Sequence, residues 1–183
     1  KAITGSNDYD STLVTLSRQG KSPDEVYETL AVEDIQGAAD VLRPVYDQSN
    51  GADGFASLEI PPNLAHNTEQ TIAEATRLSR LLDRPNVMVK VPGTPEGIPA
   101  IRALIGAGIN TNVTLIFSAD TYANIIDAYI AGLEDRAAAG GDIGNIASVA
   151  SFFISRIDTA VDAQLRAESR VAKHLTGTAA IAN

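Results

Sequence analysis

Cysteine is absent from the 183 residues, histidine occurs only twice, and positive charge is scarce. Without cysteine there can be no disulfide and no thiolate metal site. Two histidines, His66 and His174, are too few for a histidine-rich metal centre, so no metal is expected. Lysine and arginine number 14 against 23 acidic residues, a net charge of −9. That balance argues against a nucleic-acid partner, which calls for a basic face. It still allows a small phosphorylated substrate, which needs only one or two well-placed cations. No apolar run approaches the roughly 20 residues of a membrane span. No signal peptide is visible, so a cytoplasmic location with no membrane partner is expected. Gly-x-Gly-x-x-Gly and P-loop motifs are both missing, which disfavours a Rossmann-type oxidoreductase. What remains is 44% hydrophobic and 20% charged, the composition of a soluble globular protein. The length suffices for one domain with a sizeable core.

Both ends read as cut. The chain begins Lys1-Ala2-Ile3 without methionine and ends in Thr178-Ala179-Ala180-Ile181-Ala182-Asn183, a run resembling the interior of an element. A piece of a longer protein is expected.

Strand and helix signals alternate. Residues 6–19 and 22–31 carry helical spacing. Ser22-Pro23-Asp24-Glu25 supplies a capping serine, a first-turn proline and acids at the positive end of the dipole. A third helix is expected over 31–47, followed by a loop at 49–54. A strand over 55–60 is stopped by Pro61-Pro62. A helix over 67–82 sets Ile72, Ala75 and Leu78 on one face, and a strand over 87–91 follows. Thr94-Pro95-Glu96-Gly97 opens a helix that Gly106-Ala107-Gly108 closes. A strand over 112–117 leads to a helix capped at Ser118-Ala119-Asp120 and running to about Leu133. Residues 137–141 read as a small, flexible segment. The apolar run 146–154 reads as a strand, with a last helix from Ser155 or Asp158 to about His174.

This order implies parallel strands with helices outside. The strands are nearly all apolar, as expected when both faces are covered. Two α/β architectures fit, a doubly wound sheet and a TIM (β/α)8 barrel. The polar residues gather at the carboxyl ends of several strands, the layout of barrel active sites, so the barrel is favoured.

Lys90 is the most telling of those residues. It interrupts the apolar run Asn86-Val87-Met88-Val89-Lys90-Val91-Pro92. A buried ammonium is costly, so a lysine there is expected to shed its proton and become a nucleophile for carbonyl carbon. The alternative is an amine that snorkels to solvent. Three other strand ends carry polar groups: Glu59, Asn112 with Thr114, and Ser151 with Arg156 just beyond. Asn112 and Thr114 share a face because residues two apart in a strand do so. An amine, a carboxylate, an amide and a hydroxyl on adjacent strands are the groups that imine chemistry requires. Each alone has a plainer reading as a strand-edge or core residue. Their coincidence favours a Schiff-base enzyme.

Three runs resemble the transaldolase family of class I aldolases. Val87-Met88-Val89-Lys90-Val91-Pro92-Gly93-Thr94-Pro95-Glu96-Gly97-Ile98 is similar to its Schiff-base strand. Ile109-Asn110-Thr111-Asn112-Val113-Thr114-Leu115-Ile116-Phe117-Ser118 resembles the next strand. Ala150-Ser151-Phe152-Phe153-Ile154-Ser155-Arg156-Ile157-Asp158 resembles the one after. Lys1-Ala2-Ile3-Thr4-Gly5-Ser6 and Ser57-Leu58-Glu59-Ile60 add support. The wording is nearest to the longer bacterial members, some fused to a glucose-6-phosphate isomerase domain.

The resemblance implies a TIM barrel that transfers a dihydroxyacetone unit between sugar phosphates in the pentose phosphate pathway. Lys90 would form the Schiff base. Glu59 would work through a water that Thr114 helps to hold. Asn112 and Ser151 would contact the three-carbon unit and substrate hydroxyls, Phe153 would lie near the lysine, and Arg156 would bind phosphate. No cofactor is implied, because the iminium is the electron sink. A homodimer is one expected assembly. The family's first strand supplies an acid/base aspartate and its second an asparagine in a Ser-Asn-Pro run, and neither occurs here. Residues 1–183 are therefore expected to form about the middle half of a barrel, without strands 1–2 and 7–8. Such a piece is expected to fall short of full turnover alone. Two other readings stand beside this one: an aldolase releasing free dihydroxyacetone, and a non-catalytic folding or dimerising unit.

Overall fold

The computed structural model describes residue 5 and residues 7–167 and 173–180. Helix α1 (Asp10–Arg18) leads into α2 (Pro23–Gln48). Four strands follow, each joined to the next by a helix: β1 (Ala56–Glu59), α3 (Thr68–Leu82), β2 (Val87–Pro92), α4 (Gly97–Gly106), β3 (Thr111–Ile116), α5 (Ala119–Ala138) and β4 (Ser148–Phe152). Helix α6 (Ser155–Ala167) comes last. Residues 168–172 of that helix's expected extension, the start of the first helix at residue 6 and most of the Lys1–Ser6 run lie outside the described residues, while His174, the expected end of the helix, sits in a 3-10 turn over Lys173–Leu175.

All three strand pairings are parallel, and the sheet order is β1-β2-β3-β4. A doubly wound sheet reverses its order at a switch point. These strands never do, which is the barrel arrangement. Val89, Val91, Val113 and Ile116 pack against Ala75 and Leu78 of α3, Ile101, Leu104 and Ile105 of α4, and Ile125 and Ala128 of α5. This is the helix-covered face. A smaller cluster joins Val32 and Ala39 of α2 to Ala56, Leu82 and Val87.

Two expected helices, 22–31 and 31–47, are one. Helix α2 runs unbroken for 26 residues. Leu30 and Ala31 at the supposed junction are strong helix formers, and Leu30, Val32 and Ala39 are buried along it. Its start follows the expected chemistry: Ser22 Oγ accepts the Glu25 N–H, and the Glu25 carboxylate accepts the Ser22 N–H. Helix α5 also outruns its expected end. Ala137 and Ala138 are helical, and the stop comes at Gly140, whose φ of 78° suits glycine.

Strand β3 carries an irregularity that the alternation of its residues conceals. Leu115 has φ 59°. Val113 pairs with Ala150, but Ile116 pairs with Phe152, so three steps on β3 match two on β4. Ile116 thereby reaches the helix-covered core and Leu115 is left exposed.

Glycine fixes two close approaches. A Cβ on Gly97 would sit 2.0 Å from the Pro92 carbonyl oxygen, where β2 turns into α4. A Cβ on Gly132 would meet the Arg102 carbonyl oxygen at 2.7 Å and Ile105, so α5 can lie this close to α4 only with glycine there. Among the described residues no helix is long and apolar enough to cross a membrane.

Candidate active site

Strand β2 sends Val87, Val89 and Val91 to the helix side and Met88 and Lys90 to the opposite face, as alternation requires. Lys90 lies in register between Glu59 on β1 and Asn112 on β3. Its Nζ donates to Glu59 Oε2 at 3.2 Å. The lysine side chain is 27% exposed and the glutamate 48%. The apolar run around Lys90 implies a fully buried amine; in the structure its burial is partial, and a carboxylate stands beside it.

Asn112 reaches furthest across the face. Its Nδ2 donates to Ser57 Oγ at 3.1 Å, and its Oδ1 accepts from Ser151 Oγ at 2.7 Å. Ser57 is on β1, so the amide passes over β2 to meet it. Asn112 shares its register row with Lys90 and Glu59, whereas Ser57 lies two residues back from that row. Contacts that step backward across successive strands mark strands tilted as in a barrel. Thr114, only 1% exposed, follows Asn112 on the same face, opposite Pro92.

Beyond the end of β4, the ring of Phe153 stacks on Phe117 with centroids 5.3 Å apart and planes 22° apart. The Arg156 guanidinium carbon lies 4.5 Å from the Phe153 centroid. A stacked arginine keeps its fork of donors edge-on and available to an anion. Lys90, Glu59, Thr114, Asn112 and Ser151 thus share one face of four adjacent strands, with Phe153 and Arg156 at its rim.

The loops after β1 and β2 are strapped together above this face. Thr94 Oγ1 donates to the Ala65 carbonyl at 2.5 Å, and Thr68 Oγ1 to the Glu96 carbonyl at 2.7 Å. His66 Nδ1 lies 3.1 Å from Glu96 Oε2, and that hydrogen bond holds the Glu96 carboxyl below its ordinary range. A cavity of about 570 Å³ opens on the other side of Glu59, between α2 and α3. Lys90 does not line it, so it is separate from the amine.

Two residues of the face escaped the sequence reading. Ser57 stands two places before Glu59 and so shares its face, a signal the sequence does contain. Phe117 follows the irregularity at Leu115, and nothing in the residue order announces its direction.

The family described as transaldolase/fructose-6-phosphate aldolase matches residues 1–183. Transaldolase 1 of Streptomyces avermitilis is 50% identical over 183 residues, covering all of this chain and 48% of that protein. The transaldolase of Thermobifida fusca is 49% identical over 184 residues, covering all of this chain and 50% of that protein. The transaldolase of Trichodesmium erythraeum is 51% identical over 162 residues, 88% of this chain and 43% of its own length. The chain spans about half the length of the curated relatives it matches.

Proposed function

The chain belongs to the transaldolase/fructose-6-phosphate aldolase family, a family of TIM barrels, and from that premise we propose that it forms part of an enzyme passing a dihydroxyacetone unit between sugar phosphates. The donors in this reading are ketose phosphates such as fructose 6-phosphate and sedoheptulose 7-phosphate, with erythrose 4-phosphate and glyceraldehyde 3-phosphate as acceptors. The pathway is the pentose phosphate pathway and the location the cytoplasm. The four described strands are read as the middle four of eight.

The amine of Lys90 attacks the ketose carbonyl carbon. The carbinolamine loses water to give an iminium, with Glu59 acting through a water that Thr114 helps to hold. Cleavage of the adjacent carbon–carbon bond releases an aldose phosphate, and the bonding pair moves into the iminium to form an enamine. The proton from the cleaved carbinol goes to a base. The aspartate that the resemblance assigns this task has no counterpart in residues 1–183. The enamine adds to the acceptor aldehyde, and water frees the product from Lys90. Asn112 and Ser151 hold oxygens of the three-carbon unit. Phe153 walls the site and Arg156 takes the phosphate.

The observation that carries this reading is the Lys90 amine held 3.2 Å from Glu59 on the same face as Asn112. Borohydride trapping with fructose 6-phosphate, followed by peptide mass mapping, tests it. A reduced adduct on Lys90, one of four lysines in the chain, is the expected result, and a three-carbon adduct would further show that cleavage has occurred. An adduct elsewhere, or equal trapping by Lys90→Ala, would sink it. The family's description also names fructose 6-phosphate aldolase. Release of free dihydroxyacetone without an acceptor sugar would place the chain on that side.

A further inference from the structure

We propose that Ser57 is a positioning residue for this chemistry, fixing the plane of the Asn112 amide that holds the three-carbon unit. The inference rests on the functional reading above and deepens it.

The geometry is specific. Asn112 is on β3, and its register neighbours toward β1 are Lys90 and then Glu59. Its amide nitrogen nevertheless reaches Ser57 Oγ, 3.1 Å away on β1, while Ser151 Oγ on β4 binds its oxygen at 2.7 Å. The amide is therefore gripped at both ends, by hydroxyls from strands on either side of its own. An asparagine amide has two N–H donors and an oxygen with two lone pairs. The serines take one donor and one lone pair. The second N–H and the second lone pair have no partner among the described residues, and they lie on the face that carries the Lys90 amine.

A side-chain amide held at one end only can rotate about its terminal torsion, which is broad and soft. Held at both ends it cannot rotate without breaking a hydrogen bond. Ser57 thus fixes the direction of the spare N–H before a sugar arrives. Donors set in advance toward a reacting group contribute most to transition-state stabilisation, because they need no reorganisation. Ser57 itself touches neither the lysine nor the substrate in this scheme. It acts through Asn112.

Two variants of the protein that carries the whole barrel test the proposal, Ser57→Ala and Ser57→Thr. The first removes the hydroxyl and the second keeps it. With asparagine labelled by nitrogen-15, the Asn112 side-chain amide signals should shift in Ser57→Ala and stay near their original positions in Ser57→Thr. The rate of borohydride trapping of fructose 6-phosphate on Lys90 should fall about tenfold in Ser57→Ala, the scale of one lost hydrogen bond. It should return to within about threefold in Ser57→Thr, on the same scale, with both variants melting cooperatively. An Ala variant with unchanged trapping overturns the proposal, whether or not the amide signals move. A trapping loss that Thr does not restore also overturns it, because the hydroxyl is then not the cause. Absence of trapping in the wild-type protein with its whole barrel overturns the functional reading and this inference together. Wild-type trapping with an unaffected Ala variant overturns the inference alone.

Discussion

Glu59 and Lys90 are register partners on neighbouring parallel strands, and their side chains meet as an ion pair at 3.2 Å. The pair is half open to water on the glutamate side. Exposed pairs of this kind add at most about 1 kcal/mol to stability. In the proposed mechanism the pair serves chemistry rather than stability. Glu59→Gln keeps an oxygen in place and removes the negative charge. Trapping of a sugar phosphate on Lys90 should slow by on the order of 100-fold, typical of a lost general acid/base, while the melting temperature barely moves. Unchanged trapping would remove Glu59 from the mechanism.

The Arg156 guanidinium sits over the Phe153 ring, 4.5 Å from its centroid. Lysine retains the charge but loses both the planar stacking and the bidentate fork. Arg156→Lys should raise the apparent Kd or KM for a sugar phosphate about tenfold, on the order of one lost charge-assisted hydrogen bond. The corresponding sugar without phosphate should be unaffected. Equal losses for both would show that Arg156 does not read the phosphate.

Asn86 is fully buried and donates both amide protons, to the Ala39 carbonyl at 2.8 Å and the Gly54 carbonyl at 2.9 Å. It pins α2 and the segment before β1 to the start of the strand that bears Lys90. Asn86→Ala leaves two buried acceptors without these donors and should cost about 2–4 kcal/mol, measured by urea unfolding. A loss below half a kcal/mol would show that water or a backbone shift replaces the amide.

Acid should weaken the chain modestly through its surface arginine pairs. Hydrogen bonds from Arg84, Arg77 and Arg102 hold Asp40, Glu74 and Asp135 below their ordinary ranges. A depressed carboxyl contributes stability that is fully present above its unfolded value, near pH 4, and is lost as pH falls through its folded value. Urea midpoints should therefore hold steady above about pH 5 and drop below about pH 4, by the same reasoning. Arg102→Gln releases Asp135 from its depression. The drop from pH 6 to pH 3 should be smaller in that variant, and a larger drop would contradict the assignment.

Much of the framework is legible in the residues because local chemistry and global fold agree. The Ser22 capping box, the Gly106-Ala107-Gly108 stop and the alternation around Lys90 all act within a few positions of themselves. The failures have physical causes. The expected boundary near residue 31 fails because helices end at breakers and caps, and none is present there. Ala137–Gly141 looked like a loop because its residues are small, but alanine favours helix and glycine does not. At the site, Glu59, Lys90, Asn112 and Ser151 are readable because each is a polar residue within or beside an apolar run. Ser57 was harder to see. Its importance comes from a contact two strands away, which tilt creates and sequence spacing does not encode.

The left-handed residue at Leu115 has an effect on the site out of proportion to its size. It acts as a phase shifter in β3, turning Ile116 toward the helices and handing Phe117 to the stack with Phe153 and Arg156. Relaxing Leu115 into ordinary extended backbone, with the residue count kept, would exchange the two, presenting isoleucine to the lumen and forcing phenylalanine into the wall. The character of the rim is thus written in a backbone angle as much as in side chains. The rim of the face is therefore set by the phase of one strand, independently of Glu59, Lys90 and Asn112 in the row behind it.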